Sequence, residues 1–297
     1  MNLHHKNMCD HIDPVNDIAK DSELTHSLES DLNQTTERRS EIIVVKIGGS
    51  TLGRHDTTID DLVQLQQDSR PTVVVHGGGK IISQWMEKQG VKPQFINGLR
   101  VTDAQSLDIV ISVLTGLINK NIVAELSSKG SKAIGISGVD GSLISASIAN
   151  PEMGYVGKVD SINIEPLKMA LNAGYIPVVA PVGFNRNYGN DEKSILLNIN
   201  ADTVAGHIAA ALKADRMVFL TDVEGVLDSS KRLMPRITRG QADSLVRSNI
   251  IAGGMVPKIE ACISALDGGA ISQIIDGRLP NALNQVVNGQ IHGTRIG

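Results

Sequence analysis

From residue 42 onward, short runs of β-branched residues alternate with stretches of helical periodicity. That alternation confines the chain to the α/β class, as a three-layer αβα sandwich in which a mainly parallel central sheet carries helices on both faces. Ile42 to Ile47, Thr72 to His76, Ala133 to Ser137, Tyr175 to Ala180, Arg216 to Thr221 and Ala270 to Asp276 read as its strands. A helix is expected from Thr102, where Thr102 and Gln105 have the spacing of a capping box. Leu107, Val110, Ile111, Leu114, Leu117 and Ile118 then recur at three and four, which gives that helix one buried face. Another helix follows Asn200 as N-cap, with Val204, Ile208 and Leu212 on one side. Asn185 to Lys193 and Asp228 to Pro235 are polar and read as surface connections.

Residues 1–41 are different: polar, mixed in charge and without glycine, they read as a tail outside the fold. His4, His5, Cys9 and His11 have no regular ligand spacing and no second pair to complete a zinc site. Leu24, Leu28 and Leu32 make only a narrow stripe, which a helix would have to bury against a partner.

Several function classes fall away on composition. A net charge of −4 leaves no electrostatic footprint for nucleic acid, and 2% aromatics leave little to stack bases on. The longest apolar runs look strand-sized and the N-terminus is polar, so neither a transmembrane helix nor a secretory signal is read, and a cytoplasmic location is expected. Cys9 and Cys262 are too far apart in sequence for a metal or disulfide pattern, and both read as reduced thiols.

The chemistry concentrates where two strands run into glycines, at Lys46-Ile47-Gly48-Gly49-Ser50 and at His76-Gly77-Gly78-Gly79-Lys80. Glycines between a strand and a helix expose backbone N–H groups beside the positive end of the helix dipole, an arrangement that suits phosphate. They also serve plain tight turns. Neither cluster has the spacing of the common dinucleotide or P-loop motifs. Two such clusters suggest one site shared by two phosphate-bearing ligands or by one long one. Lys46 stands inside a strand otherwise made of Ile and Val, which suits a lysine directed into a polar site or a charge on a sheet edge. Lys258 follows Gly253-Gly254-Met255-Val256-Pro257 in a first helical turn, where a cation opposes the dipole unless an anion is near. Asp202, just inside the helix after Asn200, reads first as a partner of that helix's dipole.

Taken in order, these stretches resemble the amino acid kinase family. The resemblance also rests on Asn97-Gly98-Leu99-Arg100-Val101-Thr102-Asp103, Gly154-Tyr155-Val156-Gly157-Lys158-Val159, Asn198-Ile199-Asn200-Ala201-Asp202 and Leu220-Thr221-Asp222-Val223-Glu224-Gly225-Val226-Leu227. It spans Ile43 to Ile296, and its arginine-containing and Asn198 stretches are those of the acylglutamate enzymes. It implies the fold of that family, with an acylglutamate-binding and dimerisation lobe over 42–211 continuous with a nucleotide-binding lobe over 212–297. It further implies transfer of the γ-phosphoryl of ATP to the side-chain carboxylate of N-acetyl-L-glutamate, giving N-acetyl-L-glutamyl 5-phosphate in arginine biosynthesis.

Position by position, the resemblance makes Lys46 and Lys258 the two lysines that stabilise the transferring phosphoryl group, and Asp202 the carboxylate that holds them. Gly48, Gly49 and Gly78 become phosphate-binding residues, while Gly77, Gly78, Arg100 and Asn198 hold the acylglutamate. Thr221, Asp222, Gly225, Val226 and Leu227 fall at the nucleotide. The cofactors implied are ATP and Mg2+, the metal carried mainly by the nucleotide's phosphates with no protein metal site, and the assembly implied is a homodimer. Lys80 departs from the family, whose members usually have proline there. The rival readings are a kinase for a homologous carboxylate such as carrier-linked aminoadipate, and a catalytically silent sensor of acylglutamate or nucleotide.

Overall fold

A computed structural model of the chain describes residues 41–48, 57–96, 98–189, 194–290 and 292–297. The expectations for the N-terminal tail, its cysteine and histidines, and Gly49 lie outside the described residues.

The first apolar run folds as β1 (Ile43–Ile47), buried throughout. Helix α1 (Thr58–Gln67) leads to β2 (Thr72–His76), also buried throughout, and the glycines after it open α2 (Gly79–Lys88). A short hairpin of β3 (Phe95–Ile96) and β4 (Leu99–Arg100) precedes the long helical run α3 (Ala104–Ser128), whose middle, Ser112–Ile118, is wound as a π-helix. Then come β5 (Ala133–Ser137), β6 (Ile144–Ile148), β7 (Val156–Ile162), α4 (Glu165–Asn172), β8 (Ile176–Ala180), β9 (Val182–Asn185) and β10 (Leu196–Ile199). The chain continues through α5 (Ala201–Ala211), β11 (Arg216–Thr221), β12 (Arg236–Ile237), α6 (Arg239–Arg247), α7 (Met255–Asp267), β13 (Ile271–Asp276), α8 (Ala282–Val287) and β14 (Thr294–Ile296).

The main sheet has the order β12-β14-β13-β11-β1-β2-β8-β5 and is parallel at every pairing but β13–β14. Because side chains alternate along a strand, Val44 and Phe219 face one apolar layer with Val204, Ile208 and Ile259 of α5 and α7. Val45 and Val74 face the other, against Leu62, Ile82, Leu114 and Leu283 of α1, α2, α3 and α8. The three-layer α/β sandwich read from the sequence is the fold observed.

The six expected strands form within one residue of their predicted limits. The sequence reading missed β6, β7, β9 and β10, which close into a small barrel in the order β10-β7-β6-β9. Asn185, expected on a surface loop, ends β9 fully buried and donates to the Ser194 carbonyl. The expected capping box of Thr102 and Gln105 does not form either. Asp103 caps α3 by accepting from Ser106 N, and Thr102 is buried, its amide donating to the Met153 carbonyl. Finally, α3 is long and apolar enough by composition to cross a membrane, with a mean hydropathy of 1.5, although its apolar runs had read as strand-sized. Leu107, Val110, Leu114, Ile118, Ile122 and Leu126 all bury in the protein core.

One packing detail positions the site. Gly206 in α5 lies against Ala261 in α7, where a Cβ would stand 2.8 Å from the Ala261 Cα, so only glycine allows the two helices this close. Their first turns, which carry Asp202 and Lys258, therefore come together. Cys262, buried in the same contact, has its thiol pKa pushed up by burial and stays protonated.

Candidate active site

Strand β1 ends beside β2 and β11, so the carboxyl edge of the sheet gathers Gly48, Gly77 and Thr221. In open α/β sheets this edge is where ligands sit. Lys46 points from β1 toward the α5–α7 side with its side chain 9% exposed, and its Nζ lies 2.7 Å from Asp202 Oδ1. Lys258 Nζ donates to the other oxygen, Asp202 Oδ2, at 2.9 Å, and to the Gly254 carbonyl at 3.3 Å. One carboxylate thus holds two ammonium groups from distant parts of the sequence. Its own place is fixed by Asn200, whose side chain accepts from the amides of Asp202 and Thr203 at the start of α5.

Burial alone would raise the pKa of Asp202, but the charges of Lys46 and Lys258 and their hydrogen bonds outweigh it, so the carboxyl is held below the usual carboxylate range. Burial also dominates at Lys46, where it lowers the ammonium pKa; Asp202 opposes this and Lys258 adds to it.

A cavity opens beside this triad, lined by Lys46, Gly77, Gly78, Arg100, Asn198 and Asp202 among others. The predicted substrate residues and the predicted catalytic carboxylate and lysine therefore share one wall-to-wall space. Arg100 is 8% exposed. Its guanidinium donates to the Gly79 carbonyl and Ser83 Oγ, each at 2.9 Å, and contacts Met86 Sδ, while its face lies over the Phe95 ring. Among the described residues no carboxylate pairs with it. A buried guanidinium without a counter-charge is costly unless an anion enters. Asn198 donates to Thr102 Oγ1 at 3.0 Å, which accounts for the tertiary use of Thr102 that displaced it from the helix cap.

The glycine clusters divide in their roles. Gly48 N donates to the Leu220 carbonyl and Gly77 N to the Ile47 carbonyl, so both amides continue the sheet ladder. Gly78 N has no acceptor among the described residues, and it sits at the start of α2 where the helix dipole favours an anion. The residues expected at the nucleotide form no part of the cavity lining. Thr221 is buried, with its hydroxyl bonded at the Ile275 carbonyl, and Val226 is a core side chain whose amide donates to Thr294 Oγ1. Asp222 lies near enough to influence Lys46 and Arg278 by charge.

Sequence reasoning missed Gly79, Ser83 and Met86, which hold Arg100 in place; their helical spacing on α2 was the available signal. It also missed Phe95 and Gly98, on the hairpin that overhangs the cavity. A Cβ at Gly98 would stand 3.8 Å from Gly254 N, so this hairpin reaches the loop in front of Lys258. Among the described residues no three His, Cys, Asp or Glu groups come together as metal ligands, and both Asp202 oxygens face lysines.

Residues 41–275 match the amino acid kinase family. Acetylglutamate kinase from Dehalococcoides mccartyi is 42% identical over 250 residues, covering 84% of this chain and 92% of its own. Acetylglutamate kinase from Caldanaerobacter subterraneus is 43% identical over 265 residues, covering 86% and 87%. Among solved structures, a protein from Streptococcus mutans superposes with a TM-score of 0.73 at 30% identity, covering 86% of this chain and 98% of its own. The N-acetylglutamate synthase of Neisseria gonorrhoeae, solved with coenzyme A and N-acetylglutamate, shares the fold with a TM-score of 0.75 at 23% identity, covering 95% of this chain and 63% of its own.

Proposed function

The chain belongs to the amino acid kinase family, and from that premise we propose that it phosphorylates the side-chain carboxylate of N-acetyl-L-glutamate with ATP, a step toward arginine. The observation that carries this reading is the buried Arg100, which no carboxylate among the described residues pairs with, in the same cavity as Lys46 and Asp202. An acylglutamate supplies what that cavity lacks: one carboxylate for Arg100, and a second that reaches the lysines as nucleophile.

A carboxylate is already ionised near neutral pH, so no general base is required. The task left to the protein is to bring two anions together and to neutralise charge on the transferring phosphoryl oxygens. Lys46 and Lys258 supply that charge from opposite sides of Asp202, and Gly78 N supplies a backbone donor. Asp202 holds two mutually repelling ammonium groups together and aims them at one place. Asn198 orients the acylglutamate beside Arg100. ATP enters as its magnesium complex with the metal on its phosphates, and Thr221, Asp222 and the 225–227 turn border the nucleotide in the lobe formed by 212–297. Contacts from Val226 are with its backbone, because its side chain is in the core. A homodimer fits β5 as an edge strand of the main sheet, and a cytoplasmic location fits an ATP-dependent biosynthetic step.

ATP consumption measured with N-acetylglutamate, glutamate and aminoadipate as acceptors tests the reading. Turnover with N-acetylglutamate well above the others is expected. Preference for aminoadipate would favour the homologous-carboxylate kinase, and binding without turnover would favour the sensor. A second measurement tests the substrate wall. Arg100→Lys keeps the charge but loses the planar fork, so the KM for N-acetylglutamate should rise on the order of 10-fold while that for ATP moves little. A rise in the ATP KM instead would move Arg100 to the nucleotide.

A further inference from the structure

His76 is fully buried at the end of β2 and takes no part in the chemistry described so far. Its surroundings settle its proton. Asn119, on α3, has an amide whose oxygen accepts from Lys120 Nζ and whose nitrogen donates to the Val178 carbonyl at 2.8 Å. That nitrogen also faces His76 Nε2 at 3.3 Å, so Nε2 is the acceptor and Nδ1 carries the hydrogen. Nδ1 then donates to the Gly77 carbonyl at 3.1 Å. Burial first, and then the nearby charge of Lys46, lower the imidazole pKa to about 4, while the bond to Gly77 opposes them. The ring is therefore neutral near neutral pH.

The direction of that bond matters because of the peptide that follows. His76 stands opposite Ile47 in the β1–β2 register and faces the α3 side of the sheet, whereas Lys46 faces the α5–α7 side. In a trans peptide the carbonyl and the next N–H point in opposite directions. By drawing the Gly77 carbonyl toward α3, His76 turns the Gly78 N–H away from α3, toward the face that carries Lys46 and Asp202. Steric fit supports the same geometry: a Cβ on Gly78 would stand 2.5 Å from Ile118 Cδ1, and a Cβ on Gly135 would overlap Asn119 Oδ1. Glycine at both positions lets α3 close onto this peptide and lets Asn119 reach the imidazole.

We propose that His76 is a positioning residue: held by Asn119 as its neutral Nδ1–H tautomer, it fixes the Gly77–Gly78 peptide so that the Gly78 N–H is aimed at the transferring phosphoryl group. The proposal rests on the kinase reading above. It assigns His76 to alignment in the transition state and to no proton transfer.

The test uses two substitutions that each copy half of the ring. His76→Asn places its amide nitrogen where Nδ1 is; His76→Gln places its amide where Nε2 is and keeps Asn119 partnered. Steady-state kinetics on the full-length chain, with thermal unfolding as a control for folding, should show kcat lowered about 10-fold or more in His76→Gln, KM for N-acetylglutamate little changed, and kcat within about 3-fold of wild type in His76→Asn. The pH dependence of kcat between about pH 6 and 9 should have the same shape in wild type and His76→Asn, because no ionisation of His76 falls there. Wild-type kcat in His76→Gln, or an equal loss in both variants, overturns the proposal, as does a changed pH profile. Should His76→Gln fail to fold, a folded His76→Asn with kcat lowered on the order of 10-fold still overturns it. If wild type itself fails to phosphorylate N-acetylglutamate, the kinase reading falls and this proposal with it, whereas an active wild type with indifferent variants removes the proposal alone.

Discussion

Replacing Lys46 or Lys258 by alanine is expected to lower kcat by about 10²-fold or more, equivalent to about 2.7 kcal/mol of transition-state stabilisation, with a smaller change in the KM for N-acetylglutamate. Charge on the phosphoryl oxygens is redistributed during transfer, so a fixed ammonium group beside them contributes more in the transition state than in the bound ground state. The two lysines are not equivalent in the fold. Lys46 comes from a fully buried strand with little freedom to move, whereas Lys258 is more exposed and reaches in from the first turn of α7. Losing Lys46 leaves Asp202 Oδ1 buried without its ammonium partner, so a stability loss accompanies the kinetic one. Lys46→Met, which preserves the volume of the side chain, separates the two: its kcat loss should persist at a temperature where circular dichroism shows the protein folded. Wild-type kcat in either lysine variant would remove these residues from the mechanism.

Much of this architecture is legible in the sequence because the central strands β1, β2 and β8 are buried on both faces, and continuous β-branched runs such as Thr72 to Val75 allow few other structures. The barrel strands are not. Ile144-Ser145-Ala146-Ser147-Ile148 and Val156-Gly157-Lys158-Val159 mix small, polar and apolar residues, and besides pairing with each other they pair with β9 and β10, which lie further along the chain. Thr102 shows the same limit at one residue: it has the right spacing to cap a helix, but Asn198 and the Arg100 carbonyl claim its hydroxyl. The site divides in the same way. Lys46 is conspicuous as a lysine in an Ile and Val strand and Lys258 as a cation in a first helical turn, whereas Arg100 and Asn198 enter through family resemblance. His76 and Asn119 have no signal of their own, and the α2 residues that hold Arg100 have only their helical spacing, since these roles exist only once α2, α3 and β2 are packed together.

Asp202 provides the sharpest separation between a structural and a functional reading. As a partner of the α5 dipole alone, its conversion to asparagine would cost about 0.3–1 kcal/mol of stability and leave turnover intact. Its position between Lys46 and Lys258 predicts something else: Asp202→Asn should lower kcat by about 10²- to 10³-fold at neutral pH. The pH profile gives the diagnostic. In wild type, burial already lowers the Lys46 pKa and only Asp202 substantially opposes it, so the alkaline fall of kcat/KM should begin below the usual lysine range. Removing the carboxylate leaves burial and the Lys258 charge acting in the same direction. The Lys46 pKa then drops further, and the alkaline fall of kcat/KM moves to lower pH. For the same reason the variant should recover part of its activity as pH is lowered and Lys46 regains its proton, provided the acceptor carboxylate is still ionised. Binding of ATP supplies anionic phosphates to the same lysine, which favours the ammonium form, so the fall in kcat should lie at higher pH than that in kcat/KM in both proteins. An Asp202→Asn enzyme with wild-type turnover and an unmoved alkaline limb would return Asp202 to the helix dipole and leave the two lysines to be explained without it.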